Sequence, residues 1–170
     1  MMNNPSKKLD ALGAQIQESL RLQCATNTMP ITRGFLCSSV SLLEPPEPIS
    51  VLESASVADV MRILQKNKIG CVLVVNGEGE LSGIFSERDY VLKIFDKDIE
   101  DSTPVAKYMT REPITISLDE TIAFALTLMS QGGFRHLPIT DETNQPVGMV
   151  SIKNIVDHLS NEIFESLMAV

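Results

Sequence analysis

The chain has 170 residues, a formal net charge of −8 and an apolar fraction of 44%. That length holds one domain or two small ones sharing a core, and an apolar share of this size supplies the core. The negative balance excludes non-specific nucleic-acid binding, which relies on basic surface that neutralises phosphates, and leaves a small anionic ligand only where basic side chains cluster locally.

Residues 1–7 carry no pattern, and Lys7-Lys8 lead into a polar, charged stretch rather than an apolar signal segment. From Lys8 to about Gln23, Leu9, Leu12, Ile16 and Leu20 recur at helical spacing and predict an amphipathic helix. Such a stripe packs on the body of the protein or on a second subunit, or it docks a different protein. Over 24–47 the pattern is weak, and Pro45-Pro46 with Pro48 predicts a stiff, extended connector. A boundary there sets an N-terminal extension, residues 1–45, apart from the rest. No apolar run approaches the ~20 residues that a membrane helix needs. Cys24, Cys37 and Cys71 are odd in number and widely spaced, which predicts reduced thiols in a cytosol rather than disulfides or metal ligands.

A short strand is expected at Ile49–Val51. Ser56 then caps a helix whose Asp59 occupies the capping-box position and whose Val57, Val60, Met61 and Leu64 form the buried stripe. Ile69 to Val75 is a β-branched run that predicts a buried strand, Asn76-Gly77 predicts a hairpin turn, and a second strand follows from about Leu81 to Phe85. Ser86 caps a helix carrying Tyr90, Val91, Ile94 and Phe95. Thr103 as N-cap and Pro104 as first residue predict a short joining helix. The same order then returns: a strand at Ile114–Ile116, a helix capped near Asp119 or Thr121 with Ile122, Ala125, Leu126 and Met129 on one face, and hairpin strands at Phe134–Thr140 and Pro146–Val150. A second helix starts at Ser151, and a last one runs through Ile163, Phe164, Leu167 and Met168.

This return is a duplication. One offset of 65 residues carries Gly83 onto Gly148, Ser86 onto Ser151 and Asp89 onto Asn154. It also carries Pro48-Ile49-Ser50-Val51 onto Pro113-Ile114-Thr115-Ile116 without a gap. Each half reads β-α-β-β-α, and neither buries enough surface to stand alone, so residues 46–109 and 110–170 are expected to form one α+β module by pseudo-two-fold packing. The repeated Gly-x-x-Ser-x-x-Asp turn suits a nucleotide. Gly83 lets a ligand approach the backbone, Ser86 sits at a helix start that favours a phosphate, and Asp89 stands one turn on, where its carboxylate can accept both hydroxyls of a ribose. Taken alone, Ser-x-x-Asp is more often an ordinary helix cap.

Together, Pro-Ile-Ser-Val at 48–51, Pro-Ile-Thr-Ile at 113–116, Arg135-His136-Leu137-Pro138-Ile139 and the two Gly-x-x-Ser turns resemble the CBS domain family in its tandem form, the Bateman module. The resemblance covers about residues 46–170. It implies two β-α-β-β-α CBS repeats, clefts between them that bind adenine nucleotides or adenosyl ligands, and a disk-like homodimer. It places Asp89, Ser86, Ser50, Cys71 and Val72 in a repeat-one cleft, and Thr115, His136, Pro138 and Ser151 in a repeat-two cleft. Arg88, Arg135, His136, Lys153 and Lys68 are candidates for phosphate charge, each of them equally readable as a solvated surface cation. Asn154 departs from the family's Asp, and an amide cannot accept two charge-assisted hydrogen bonds. Against that, Thr115, Arg135 and His136 suit a nucleotide better than Ser50, Gly70 and Cys71, which leaves the two clefts unranked. No nucleophile elbow, HExxH or P-loop is present, so neither a catalytic nor a metal site is expected. The expected function is a cytoplasmic regulatory module. It binds AMP, ADP or ATP in preference to S-adenosylmethionine and modulates a partner enzyme or transporter. The alternative is an interaction scaffold with weak or vacant clefts.

Overall fold

The computed structural model describes Glu18 and residues 33–168. Apart from that one helical residue, the helix expected over Lys8–Gln23 lies outside the described residues. The described chain opens with α1 (Arg33–Cys37) and a 3-10 turn at Val40–Leu43. The first repeat follows as β1 (Ser50–Leu52), α2 (Val57–Asn67), β2 (Cys71–Val75), β3 (Leu81–Ser86) and α3 (Glu87–Lys93). After a 3-10 turn at Val105–Lys107 come β4 (Thr110–Arg111), α4 (Ile122–Gly132), β5 (His136–Thr140), β6 (Pro146–Ser151) and α5 (Ile152–Met168). The molecule is a mixed α+β fold in which each repeat contributes strands and helices.

Local chemistry sets most of these boundaries. Ser56 Oγ accepts from the Asp59 N–H at 3.0 Å and starts α2, whose Val57, Val60 and Leu64 are buried. Thr121 does the same for α4 by accepting from the Phe124 N–H at 3.2 Å. β2 is buried over Cys71–Val74 because it is central, flanked by parallel β1 and antiparallel β3. β3 alternates buried and half-buried residues, as expected of a strand with one covered face. The β2–β3 turn is longer than a two-residue Asn-Gly loop. Asn76 Oδ1 accepts from the Glu78 and Glu80 N–H groups, and Gly79 takes the left-handed φ of 86°.

Several expectations need correction. α3 stops at Lys93, so Ile94 is buried while Val91 and Phe95 are 59% and 75% exposed rather than sharing its stripe. Pro104 is the cap residue of the joining turn, not its first helical residue. Ile114–Ile116 does not form a strand, and only Ile116 bridges to Ile139. The cause is a proline. In the first repeat the Leu73 N–H donates to the Ile49 carbonyl at 3.0 Å, whereas Pro138, the residue equivalent to Leu73, has no N–H to give Ile114. The two helices expected after Ser151 are one, the 17-residue α5.

The two cores are built by exchange. Val105 and Met109, which lead into the second repeat, are buried in the first core with Val51, Val60, Leu64 and Phe85. Phe35, Val40 and Leu43, which lead into the first repeat, are buried in the second core with Ile122, Met129, Leu137 and Ile155. The backbone repeats the exchange: the Val57 N–H donates to the Thr103 carbonyl at 2.8 Å, and the Ile122 N–H to the Ser38 carbonyl at 3.0 Å. These are equivalent bonds under the 65-residue shift. β4 extends this exchange by pairing with β3, which makes a four-stranded sheet of order β1-β2-β3-β4. On the other side, Pro45-Pro46 stand where Thr110-Arg111 would be, and without N–H groups they leave β5-β6 a two-stranded sheet.

Candidate functional site

The exchange brings the start of α3, the segment from Thr110 to Ile114 and the α4–β5 turn around one cleft of about 480 Å³. The first repeat contributes Cys71, Ser86, Glu87, Arg88 and Asp89. The second contributes Arg135, His136 and Pro138, with Phe134 and the Gly132-Gly133 turn beside them. Groups expected in two separate clefts therefore share one. Asp89 and Ser86 of the first motif face Arg135 and His136 of the second. Their equivalents under the 65-residue shift are Asn154, Ser151, Gly70 and Cys71, which offer fewer charges.

The remaining expected residues lie elsewhere. Ser50 is exposed on β1, and Val72 is wholly buried in the first core. Thr115 lines a separate depression with Leu118, Phe124 and Val147. Ser151 and Asn154 cap α5 among themselves, with the Ser151 N–H donating to Asn154 Oδ1 at 2.9 Å. Lys153 pairs with Asp157, and Lys68 is an exposed left-handed residue closing α2. Gly83 makes room for its own chain instead of a ligand, since a Cβ there would meet Met109 Sδ at 2.5 Å and the Thr110 carbonyl at 3.0 Å. Among the residues that sequence reasoning missed, Thr110, Glu112 and Ile114 line the cleft because their segment crosses to the other repeat. Their only signal was position: Thr110 and Glu112 stand just ahead of the Pro-Ile-Thr-Ile motif at 113–116, and Ile114 lies within it.

Asp89 is the most constrained group in the cleft. Its Oδ2 accepts from the Ser86 N–H at 3.0 Å and the Ser86 hydroxyl at 2.6 Å. Its Oδ1 lies 2.6 Å from Lys93 Nζ and 3.2 Å from the Thr110 hydroxyl. Burial alone would raise its pKa, but the hydrogen bonds from Lys93 and Ser86 and the Lys93 charge outweigh it and hold the carboxyl below its usual range. Burial pushes the His136 imidazole down, Arg135 pushes it further, and Glu87 opposes both. Burial, then the charges of Asp89 and Glu87, push the Cys71 thiol up to about 12, so it stays protonated and a poor nucleophile at neutral pH. The phosphate expected at the start of α3 finds few free donors there. The Glu87 N–H donates to the Gly70 carbonyl and the Asp89 N–H to Ser86 Oγ, and a seven-residue helix has little dipole to add. Cationic charge in the cleft rests on Arg135 and on Arg88, whose Nη1 donates to the Gly133 carbonyl at 3.0 Å. Among the described residues, no group of three or more His, Cys, Asp or Glu could hold a metal ion, and no helix is long and apolar enough to cross a membrane.

Known proteins share this architecture. A protein of Acidianus ambivalens, the uncharacterized 17.7 kDa protein in bps2 3'region, is 29% identical over 71% of this chain and 72% of its own length. The CBS domain-containing protein CBSCBSPB2 of Arabidopsis thaliana is 30% identical over 91% of this chain, which spans only 29% of that protein. The CBS domain protein PAE2072 of Pyrobaculum aerophilum, solved with AMP, superposes with a TM-score of 0.64 at 23% identity, over 72% of this chain and 98% of its own. The CBS domain pair of protein MJ0100, solved with 5′-methylthioadenosine and S-adenosyl-L-methionine, gives 0.65 at 24% identity, over 71% and 98%. At these identities the two structures establish the fold alone. The CBS domain itself matches twice, at residues 43–96 and 105–161, in step with the duplication and the exchanged cores. This chain belongs to the CBS domain family as a tandem pair.

Proposed function

We propose that this chain is a regulatory module that binds one adenine nucleotide in the cleft between its two repeats. A single observation carries the reading: the Asp89 carboxylate of one repeat and the Arg135-His136 pair of the other line one space of about 480 Å³, within the range of small-ligand pockets. In this reading Asp89 takes the ribose diol, and Arg135 and Arg88 balance the phosphate. Phe134, Ile84 and Pro138 supply apolar surface for the base. Glu87 and Glu112 at the same cleft offset the cationic charge, which favours a monophosphate over a triphosphate. The AMP complex of the Pyrobaculum aerophilum protein supports an adenine ligand, and S-adenosylmethionine is the next to test. The module has no catalytic role. Occupancy biases a homodimer, and a partner enzyme or transporter in the cytoplasm reads that bias. The exposed apolar residues Val91, Leu92 and Phe95 are available for such contacts.

Thermal unfolding of ligand-stripped protein with and without AMP tests the reading. Ligand at 100 times its dissociation constant adds about 2.7 kcal/mol, roughly 5–10 °C in midpoint for a chain of this size. Asp89→Ala should abolish the shift while the protein remains folded. No shift with AMP, ADP, ATP or S-adenosylmethionine would favour the second reading, an interaction scaffold. That reading draws on the internal satisfaction of Asp89.

A further inference from the structure

We propose that Lys93 is an internal competitor for the carboxylate of Asp89, so that a diol ligand enters only by displacing it. The inference rests on the nucleotide reading above and adds to it how the site is regulated. An ionised carboxylate has about four lone-pair positions. At Asp89 all four are engaged: two by the Ser86 N–H and hydroxyl on Oδ2, and two by Lys93 and Thr110 on Oδ1. A cis-diol brings two donors and needs acceptors for both.

The four engaged partners differ in how freely they let go. Ser86 is held by the capping box that starts α3, and its N–H is backbone, so releasing Oδ2 means unwinding the turn. Lys93 is the tip of a long side chain. That side chain is 38% exposed, against 12% for the Asp89 side chain, and can swing into solvent. The Lys93 ammonium also donates to the Tyr108 carbonyl at 2.8 Å and lies 3.4 Å from Thr110 Oγ1. It therefore ties the last residue of α3 to the segment that crosses between the repeats. A ligand that displaces it frees that tie, and by linkage anything that tightens the tie weakens the ligand.

The test compares AMP with 2′-deoxy-AMP by titration calorimetry on wild type, Lys93→Met and Asp89→Ala. The Thr110 hydroxyl can rotate away from Oδ1 and admit one hydroxyl of either nucleotide. Removing the Lys93 ammonium takes a cation away from both phosphates equally but frees the position for a second hydroxyl, which only AMP has. The ratio of AMP to 2′-deoxy-AMP affinity should therefore rise about threefold or more in Lys93→Met, the order expected for removing a partly exposed ion pair. Lys93→Leu, which also lacks a donor and has a helix propensity close to that of lysine, should show the same rise, so the effect is that of the lost ammonium and not of methionine. An unchanged or lower ratio in both variants, with AMP binding that Asp89→Ala abolishes, overturns the competitor and leaves the nucleotide site standing. AMP binding that is absent, or indifferent to Asp89→Ala, overturns both.

Discussion

His136 is the cleft residue whose protonation links stability to pH on the acid side. Burial and Arg135 hold its imidazole below the ordinary 6.5, so it is neutral in the fold at pH 7. In the unfolded chain it takes a proton near pH 6.5, while the folded chain does so only at lower pH. The unfolded state thus binds more protons as pH falls below 6.5, and stability falls with it. One proton gives a slope of at most about 1.4 kcal/mol per pH unit. Urea unfolding of wild type and His136→Gln at pH 7.5, 6.5 and 5.5 should show a shallower acid-side loss in the variant. Parallel curves would mean that His136 titrates as a solvated residue. Gly83 makes the complementary case, a residue that looks like a ligand contact and serves packing. Gly83→Ala should cost about 1–3 kcal/mol of stability, because Met109 is buried and the Thr110 carbonyl is backbone that cannot yield cheaply. If Gly83 served a ligand instead, the alanine would leave the melting midpoint unchanged and weaken nucleotide binding.

At the scale of elements, the sequence was legible wherever the determinant was local. Ser56, Ser86 and, of the two candidates Asp119 and Thr121, Thr121 start their helices with hydroxyls that the structure places on the N–H of the third helical residue. The runs at 69–75 and 134–140 announce strands, which the structure starts two residues later, at Cys71 and His136. Where a determinant sat elsewhere in the chain, the reading failed. Ile114–Ile116 has the composition of a strand, but its neighbour Pro138 cannot donate to it. The prolines at 45–46 read as a connector, yet the segment just before them, from Phe35 to Leu43, fills the second core. The grouping of residues in the cleft was missed for the same reason. Ser86 and Asp89 were legible as one motif and Arg135-His136 as another, but motif spacing does not report that crossing segments bring them face to face.

At the scale of the whole molecule, exchanged leaders make each half depend on the other. Val40 is fully buried in the second core although it precedes the first repeat, and its equivalent Val105, where the second CBS match begins, is fully buried in the first core. Unfolding either core pulls a buried residue of its own connection out of the other, so the two cores should melt together. Val40→Ala and Val105→Ala each remove two buried carbons, at a cost of roughly 2 kcal/mol once the cavity is included. For a chain of this size that is about 4–8 °C. Differential scanning calorimetry of wild type and each variant should give one transition that moves as a whole, by similar amounts for both substitutions. Two transitions, with Val40→Ala lowering only one and Val105→Ala only the other, would mean that the halves fold independently. A single transition has a functional consequence. The cleft takes its walls from both halves, so ligand held between Asp89 and Arg135 would stabilise both cores at once. The whole pair, rather than one repeat, would then be the unit that responds.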